Sequence, residues 1–192
     1  MQYPQSLSAK IFPEIELEDV LLREQQEEDV ADFFCYYADP KVNKFILCDI
    51  PSDLESARHE LHYWRNVFYR NDGVYFAIAE KKGNHMIGSI GISGYNSYHS
   101  RIELSYDLAH DYWHRGIMTR SIAAVVKHGF EVLKVNRIEA FVSTLNEPSK
   151  NLLLKCGFVL EGILQQHRYH RGSYVDVYSF SLLRKDWLNQ IV

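Results

Sequence analysis

The chain has 192 residues, 46% apolar and 24% charged, with a net charge of 21 − 25 = −4. That mix excludes disorder, collagen and a simple coiled coil, and the acid excess argues against a global nucleic-acid-binding surface. No run of about 18 apolar residues offers a membrane span, residues 1–12 lack the basic-then-apolar order of an export signal, and three cysteines (Cys35, Cys48, Cys156) without a C-x-x-C pair fit free thiols in a reducing cytoplasm.

In chain order, residues 20–25 read as a short strand. Residues 27–38 read as a helix, with Val30, Phe33, Phe34 and Tyr37 at helical spacing, and Pro40 is expected to stop it. Asp53 is a plausible cap for a second helix over 53–70, whose apolar stripe is Leu54, Ala57, Leu61, Trp64 and Phe68. A turn at Asn71-Asp72-Gly73 introduces three strands, 74–80, 86–94 and 101–109. The most periodic helix covers 116–133, with Met118, Ile122, Val125, Val126, Phe130 and Leu133 on one side. A strand over 138–143, a helix over 147–155 and two long strands, 158–169 and 174–183, complete the order. One mixed α/β (α+β) domain around one sheet, spanning 1–192 without a linker, is expected.

Two stretches carry chemistry. In the first, a strand runs into Trp113-His114-Arg115-Gly116-Ile117-Met118-Thr119, where a helix begins. A helix N-terminus leaves about four backbone N–H groups without partners and about half a positive charge. Gly116 lets a phosphate approach that backbone, Arg115 adds charge and Thr119 a hydroxyl. A tight strand-to-helix turn alone would also explain Gly116. In the second stretch, Asn146, Ser149, Leu152, Lys155 and Gly157-Phe158 spell N-x-x-S-x-x-L-x-x-K-x-G-F. Helix capping by Asn146 and Ser149 would explain part of it.

Together, R-G-I-M-T and N-x-x-S-x-x-L-x-x-K-x-G-F resemble the GCN5-related N-acetyltransferase (GNAT) superfamily, and within it the branch that acetylates ribosomal-protein N-termini at alanine or serine. The resemblance covers about residues 18–185, with the Glu103–Leu108 strand and the late Gly172–Val177 stretch also similar. It implies a mostly antiparallel sheet of about seven strands flanked by about four helices, with a splayed parallel strand pair holding the donor. It implies acetyl-CoA as co-substrate. Asp107, Leu108 and Ala109 would offer backbone to pantetheine. His114, Arg115, Gly116, Ile117, Met118 and Thr119 would hold the pyrophosphate. Asn146 would meet a pantetheine amide, and Asn151 would lie by the cofactor's outer half. Trp113 stands where the superfamily usually has Gln or Arg, and Met118 where it has Gly or Ala.

The implied reaction needs a neutral amine. An α-amine has a pKa near 8 and a lysine near 10.4, so presenting neutral lysine costs roughly 3 kcal/mol more. Glu103, on the strand leading to the cofactor gap, is the candidate base acting through water, the alternative being an exposed or salt-bridged strand residue. Ser149 resembles the serine that the ribosomal branch places near the sulfur. The tyrosine many members use as acid matches Leu153, and the branch's glutamate on the penultimate strand matches Arg168. The expected activity is acetylation of a primary amine, first a ribosomal-protein-like N-terminus. Alternatives are an antibiotic or polyamine amine, or a catalytically silent acyl-CoA-binding module. Nucleic-acid binding by the Arg168–Arg171 patch fits poorly with net −4. No metal is expected at His59/His62 or His167/His170, which lack a third ligand. Residues 14–29 hold eight acids, either a solvated face or a device to steer a basic acceptor. A cytoplasmic monomer or homodimer is expected.

Overall fold

The computed structural model describes residues 11–190. One eight-stranded sheet forms the centre: β1 (Ile15–Glu16), β2 (Val20–Arg23), β3 (Val74–Glu80), β4 (Met86–Asn96), β5 (Arg101–Leu108), β6 (Arg137–Ser143), β7 (Val159–His170) and β8 (Ser173–Leu183). Its spatial order is β1-β2-β3-β4-β5-β6-β8-β7, antiparallel at every pair except the parallel β5–β6. The helices are α1 (Val30–Tyr37), α2 (Pro40–Asn43), α3 (Leu54–Tyr69), α4 (Ile117–Glu131), α5 (Glu147–Lys155) and α6 (Arg184–Gln190).

The expected class holds, with eight strands and six helices among the described residues where about seven and four are expected. Each addition has its own cause. β1 is two residues long, too short for a period of two to show, and exists by pairing with β2. α1 stops ahead of Pro40 as expected, Asp39 before the proline having left helical geometry (ψ 122°), but Pro40 also opens α2, where its missing N–H costs no helical bond, and Asp39 caps the turn by accepting from the Lys41 amide at 2.8 Å. α6 follows β8 directly and delivers Trp187 to the core, where its ring lies 5.2 Å from Phe130.

Two apolar layers fix the helices. On one face α4 places Ile117, Ile122, Val125, Val126 and Phe130 against Phe76, Ile90, Ile92, Ile102, Ile138 and Phe180. Leu153 of α5 joins that core, fully buried. On the other face α1 and α3 cover β3 and β4, with Val30, Phe33, Tyr36, Ala57 and Leu61 packed around Ala77 and Met86. β3 and β4 are therefore buried on both sides, which is why 74–80 reads as a nearly continuous apolar run. Helix cover on the second face stops at β5. The face of β5, β6 and β8 that carries Glu103, Glu139 and Ser181 is lined instead by an ion-pair ladder: Arg101–Glu139 (2.6 Å), Arg137–Glu139 (2.8 Å) and Arg137–Glu161 (2.5 Å), with Ser181 donating to Glu161 (2.8 Å). Among the described residues no helix is long and apolar enough to cross a membrane.

Candidate functional site

The site lies where β5 and β6 part. The two strands keep parallel register only at Arg101–Arg137, Ile102–Ile138 and Glu103–Glu139. Beyond Glu103, β5 remains paired to β4 as far as Leu108, but its other edge no longer meets β6. An unpaired strand edge presents backbone donors and acceptors that need partners, which suits an extended ligand rich in amides. The edge ends before Ala109, whose N–H donates to the Ile87 carbonyl (2.8 Å) and whose carbonyl accepts from the Tyr112 amide (3.0 Å). The Leu108 carbonyl in turn accepts from the Trp113 indole at 2.8 Å. Trp113, a departure at the level of motif, thus braces the end of β5.

Past Trp113 the chain turns sharply. His114 (φ 61°) and Gly116 (φ 74°) both take left-handed backbone, one on either side of Arg115. Gly116 is the N-cap of α4, and the first helical bond runs from the Arg120 amide to the Gly116 carbonyl (3.1 Å). The amides of Ile117, Met118 and Thr119 therefore lack helical partners. The side chains of Ile117 and Met118 are buried, so only their backbone is open to an anion and the bulk of Met118 points away from it. Arg115 lies exposed, its guanidinium 4.9 Å from the centre of the Tyr112 ring. This combination of bare amides, a left-handed glycine and a nearby guanidinium fits a pyrophosphate.

On the α4–α5 side of the splay, Asn146 caps α5 by accepting from the Ser149 amide at 3.1 Å. The Ser149 hydroxyl shares a 2.8 Å hydrogen bond with the hydroxyl of Tyr106 on β5. Burial pushes the Tyr106 phenol up, so it stays protonated. The sequence did not single out Tyr106; only its place one residue before Asp107 on the cofactor strand hinted at it. Asn151 is exposed on α5, and Leu153, at the place of the usual acid, is core.

On the opposite face Glu103 accepts from Arg168 of β7 at 3.2 Å. Burial raises the Glu103 carboxyl above its ordinary value, while Arg168 pulls it back down. Arg168 also lies 5.8 Å from the centre of the Phe141 ring, and His167 stacks on the same ring at 5.3 Å. Two residues further along β5, the Ser105 hydroxyl lies 3.3 Å from that of Tyr75. Asp107 follows, accepting from the Tyr36 hydroxyl (2.8 Å), the Ser89 amide (3.1 Å) and the Ser89 hydroxyl (2.7 Å). Burial outweighs these bonds and pushes its carboxyl up to about 6. The resemblance uses only the backbone of Asp107, and its side chain turns away from the cofactor edge into this aromatic wall. Trp64 of α3 stacks on Tyr75 (4.4 Å) and donates to Glu60 (2.7 Å). Together α1, α3 and the β7–β8 hairpin bound a groove floored by β5 and β6. The tip of the hairpin reaches α2, with Arg171 3.3 Å from the Asn43 side-chain oxygen.

The acids of 14–29 are largely spent on internal pairs: Glu16–Lys81, Asp19–Arg120, Glu24–Arg65, Glu27–Arg58 and the buried Asp29–Arg23. Of these only Asp29 is buried; Glu14, Glu16, Glu18, Asp19, Glu27 and Glu28 are exposed, a solvated acidic face. His62 pairs with Glu27 at 3.1 Å.

Comparison with known proteins agrees with this geometry. The family model described as "Acetyltransferase (GNAT) domain" matches residues 19–159. An uncharacterised N-acetyltransferase of Bacillus licheniformis is 32% identical over 171 residues, covering 88% of this chain and 96% of that protein. The structure of the ribosomal-protein-S5-alanine acetyltransferase from Vibrio fischeri superposes with a TM-score of 0.78 at 23% identity, over 91% of this chain and 98% of that one. The spermidine N-acetyltransferase from Vibrio cholerae, solved with CoA and spermine, superposes with a TM-score of 0.76 at 19% identity, over 89% and 99%. At these identities the two structures show the shared fold.

Proposed function

The chain belongs to the GNAT acetyltransferase family, and from that premise we propose that it acetylates the α-amine of a peptide N-terminus, such as that of a ribosomal protein, with acetyl-CoA as donor. The carrying observation is the position of Glu103. It is the last residue of β5 in register with β6, and its carboxylate stands at the mouth of the splay on the side away from α4 and α5. The donor would lie along the open edge of β5, its pyrophosphate on the α4 amides and its sulfur toward Ser149.

Acetyl-CoA supplies an activated thioester carbonyl. Glu103 takes one proton from the arriving ammonium, directly or through a water, and later returns it to solvent. The freed amine attacks, the C–N bond forms and the C–S bond breaks. The Ser149 hydroxyl gives a proton to the departing sulfur and is made whole by the second proton of the acylated nitrogen. Tyr106 is a positioning residue here: its phenol stays protonated and holds the Ser149 hydroxyl in place. This scheme needs no tyrosine at position 153. An α-amine suits a carboxylate base better than a lysine does, because its pKa near 8 leaves a smaller gap for the proton to cross.

The test is an acceptor screen with acetyl-CoA that follows thiol release, using ribosomal-protein N-terminal peptides, polyamines and aminoglycosides. Preferential turnover of a peptide that is lost when its N-terminus is blocked supports the reading. Turnover confined to polyamines or aminoglycosides overturns it.

A further inference from the structure

Resting on the peptide-acetylation reading above, we propose that the preferred acceptor carries a carboxylate within about one residue of its reactive amine, and that Arg168 receives that carboxylate. Arg168 projects from β7 over the groove, half-exposed, and the one side-chain hydrogen bond it makes among the described residues goes to Glu103 (3.2 Å). A guanidinium has five N–H donors in a planar fork matched to a carboxylate, so the remaining edge of the fork is open to a ligand while Phe141 supports its plane.

The charges around this fork favour an anion on the hairpin side. His167, His170 and Arg171 lie on the same hairpin, and Lys41 and Lys44 stand on and beside α2, which the hairpin tip touches. Two of the nearby acids are paired with arginines and the others are held in place by neutral donors. Glu139 is held by Arg101 and Arg137, and Glu161 by Arg137. Asp176 accepts from the Gln166 amide and Asp39 from the Lys41 amide. Across the groove the carboxylates of Glu60 and Asp107 are bound by Trp64, Tyr36 and Ser89. A zwitterionic peptide end, ammonium toward Glu103 and carboxylate toward Arg168, matches this division. A polyamine would place further cations beside Arg168 and Arg171.

The arrangement also couples recognition to chemistry. The acceptor carboxylate shares the guanidinium with Glu103. With two carboxylates on one fork, Arg168 holds the charge of Glu103 less firmly, and Glu103 becomes a stronger base as the ammonium arrives.

The experiment compares kcat/KM for C-terminally amidated peptides beginning Ser-Asp, Ser-Ala and Ser-Lys, and for spermidine. In the unmodified enzyme the Ser-Asp peptide should lead the Ser-Lys peptide by about tenfold or more, the scale of a charge-assisted Arg–carboxylate bond. Arg168→Gln should collapse that ratio toward one and Arg168→Glu should invert it. Arg171→Gln should reduce it less. Ratios within one variant cancel any change in Glu103 common to all acceptors. Equal kcat/KM for the three peptides, or a ratio unmoved in Arg168→Gln, overturns this inference and leaves peptide acetylation standing. Turnover of spermidine alone overturns both.

Discussion

If Glu103 takes the ammonium proton, Glu103→Gln should show a defect that depends steeply on pH. In the unmodified enzyme the enzyme-bound pair of ammonium and carboxylate has the same proton count as neutral amine and carboxylic acid. Its rate should therefore hold level between the Glu103 pKa and the amine pKa. The glutamine variant must instead wait for solvent to deprotonate the amine. Its rate should fall about tenfold for each pH unit below roughly 8, reaching about 100-fold, or about 2.7 kcal/mol, at pH 6. Above the amine pKa it should recover much of the loss. The structure also fixes the lower edge of the plateau. Arg168 sits 3.2 Å from the carboxylate and both side chains are half-exposed, so a solvent-like dielectric applies and the attraction is about 1.3 kcal/mol. Arg168→Gln should thus raise that edge by about one pH unit. The assay is thiol release from acetyl-CoA over pH 5–10 with an N-terminal peptide acceptor. A Glu103→Gln deficit that stays constant across that range refutes the relay and leaves Glu103 as the ion-pair partner of Arg168 and nothing more.

Four further outcomes are expected. Gly116→Glu should abolish CoA binding by calorimetry, because φ 74° disfavours a side chain and the new carboxylate would face the pyrophosphate; unchanged affinity would remove the α4 turn from the site. Ser149→Ala should lower kcat far more than it raises the KM for acetyl-CoA, and Tyr106→Phe added to it should cost little more, since the two hydroxyls act through one hydrogen bond; additive losses would separate them. Asp29→Ala leaves Arg23 buried without its bidentate partner at 2.7 Å and should cost about 3–5 kcal/mol in urea unfolding, with a loss below about 1 kcal/mol counting against a tie at that place. Asp107 has a folded pKa of about 6, above the roughly 3.9 of an unfolded aspartate, so the folded chain binds its proton first and gains stability as pH falls through that window. Asp107→Asn should flatten this slope and gain about 1–3 kcal/mol above pH 6, read as a melting temperature that no longer drops between about pH 4 and 6.

What was legible in the sequence was local. α4 showed itself through a buried stripe repeated over four turns, and the turn before it through Gly116, because an anion turn is made by a few consecutive residues. Asn146 and Ser149 were legible for the same reason, lying three apart where one caps the amide of the other. What escaped was whatever depended on a partner far along the chain. α6 depends on the contact of Trp187 with Phe130, while β1 escaped only because two residues are too few to show a pattern. Tyr106 and Ser149 are 43 positions apart, and Tyr36 and Asp107 are 71 apart. No spacing rule joins such residues; the sheet order does.

Arg168 makes the point sharpest. Read along the strand, it stands where the resembling branch has a glutamate, and the position looks like a lost base. Read in space, a carboxylate is still present at that end of the groove, but β5 supplies it. Glu103 can stand there because β5 leaves β6 immediately after it, which opens the sheet face for the β7–β8 hairpin to fold over. A glutamate at 168 beside Glu103 would set two carboxylates within contact, and one of them would be forced to hold a proton. An arginine instead keeps Glu103 charged and partly desolvated at once. On the proposed reading the substitution at 168 is therefore tied to the carboxylate at 103. Arg168→Glu alone should impair acetylation, and adding Glu103→Arg should restore part of the rate by exchanging the pair across the groove. Equal impairment in the single and double variants would show that the two positions act independently, and the relocation argument would fall.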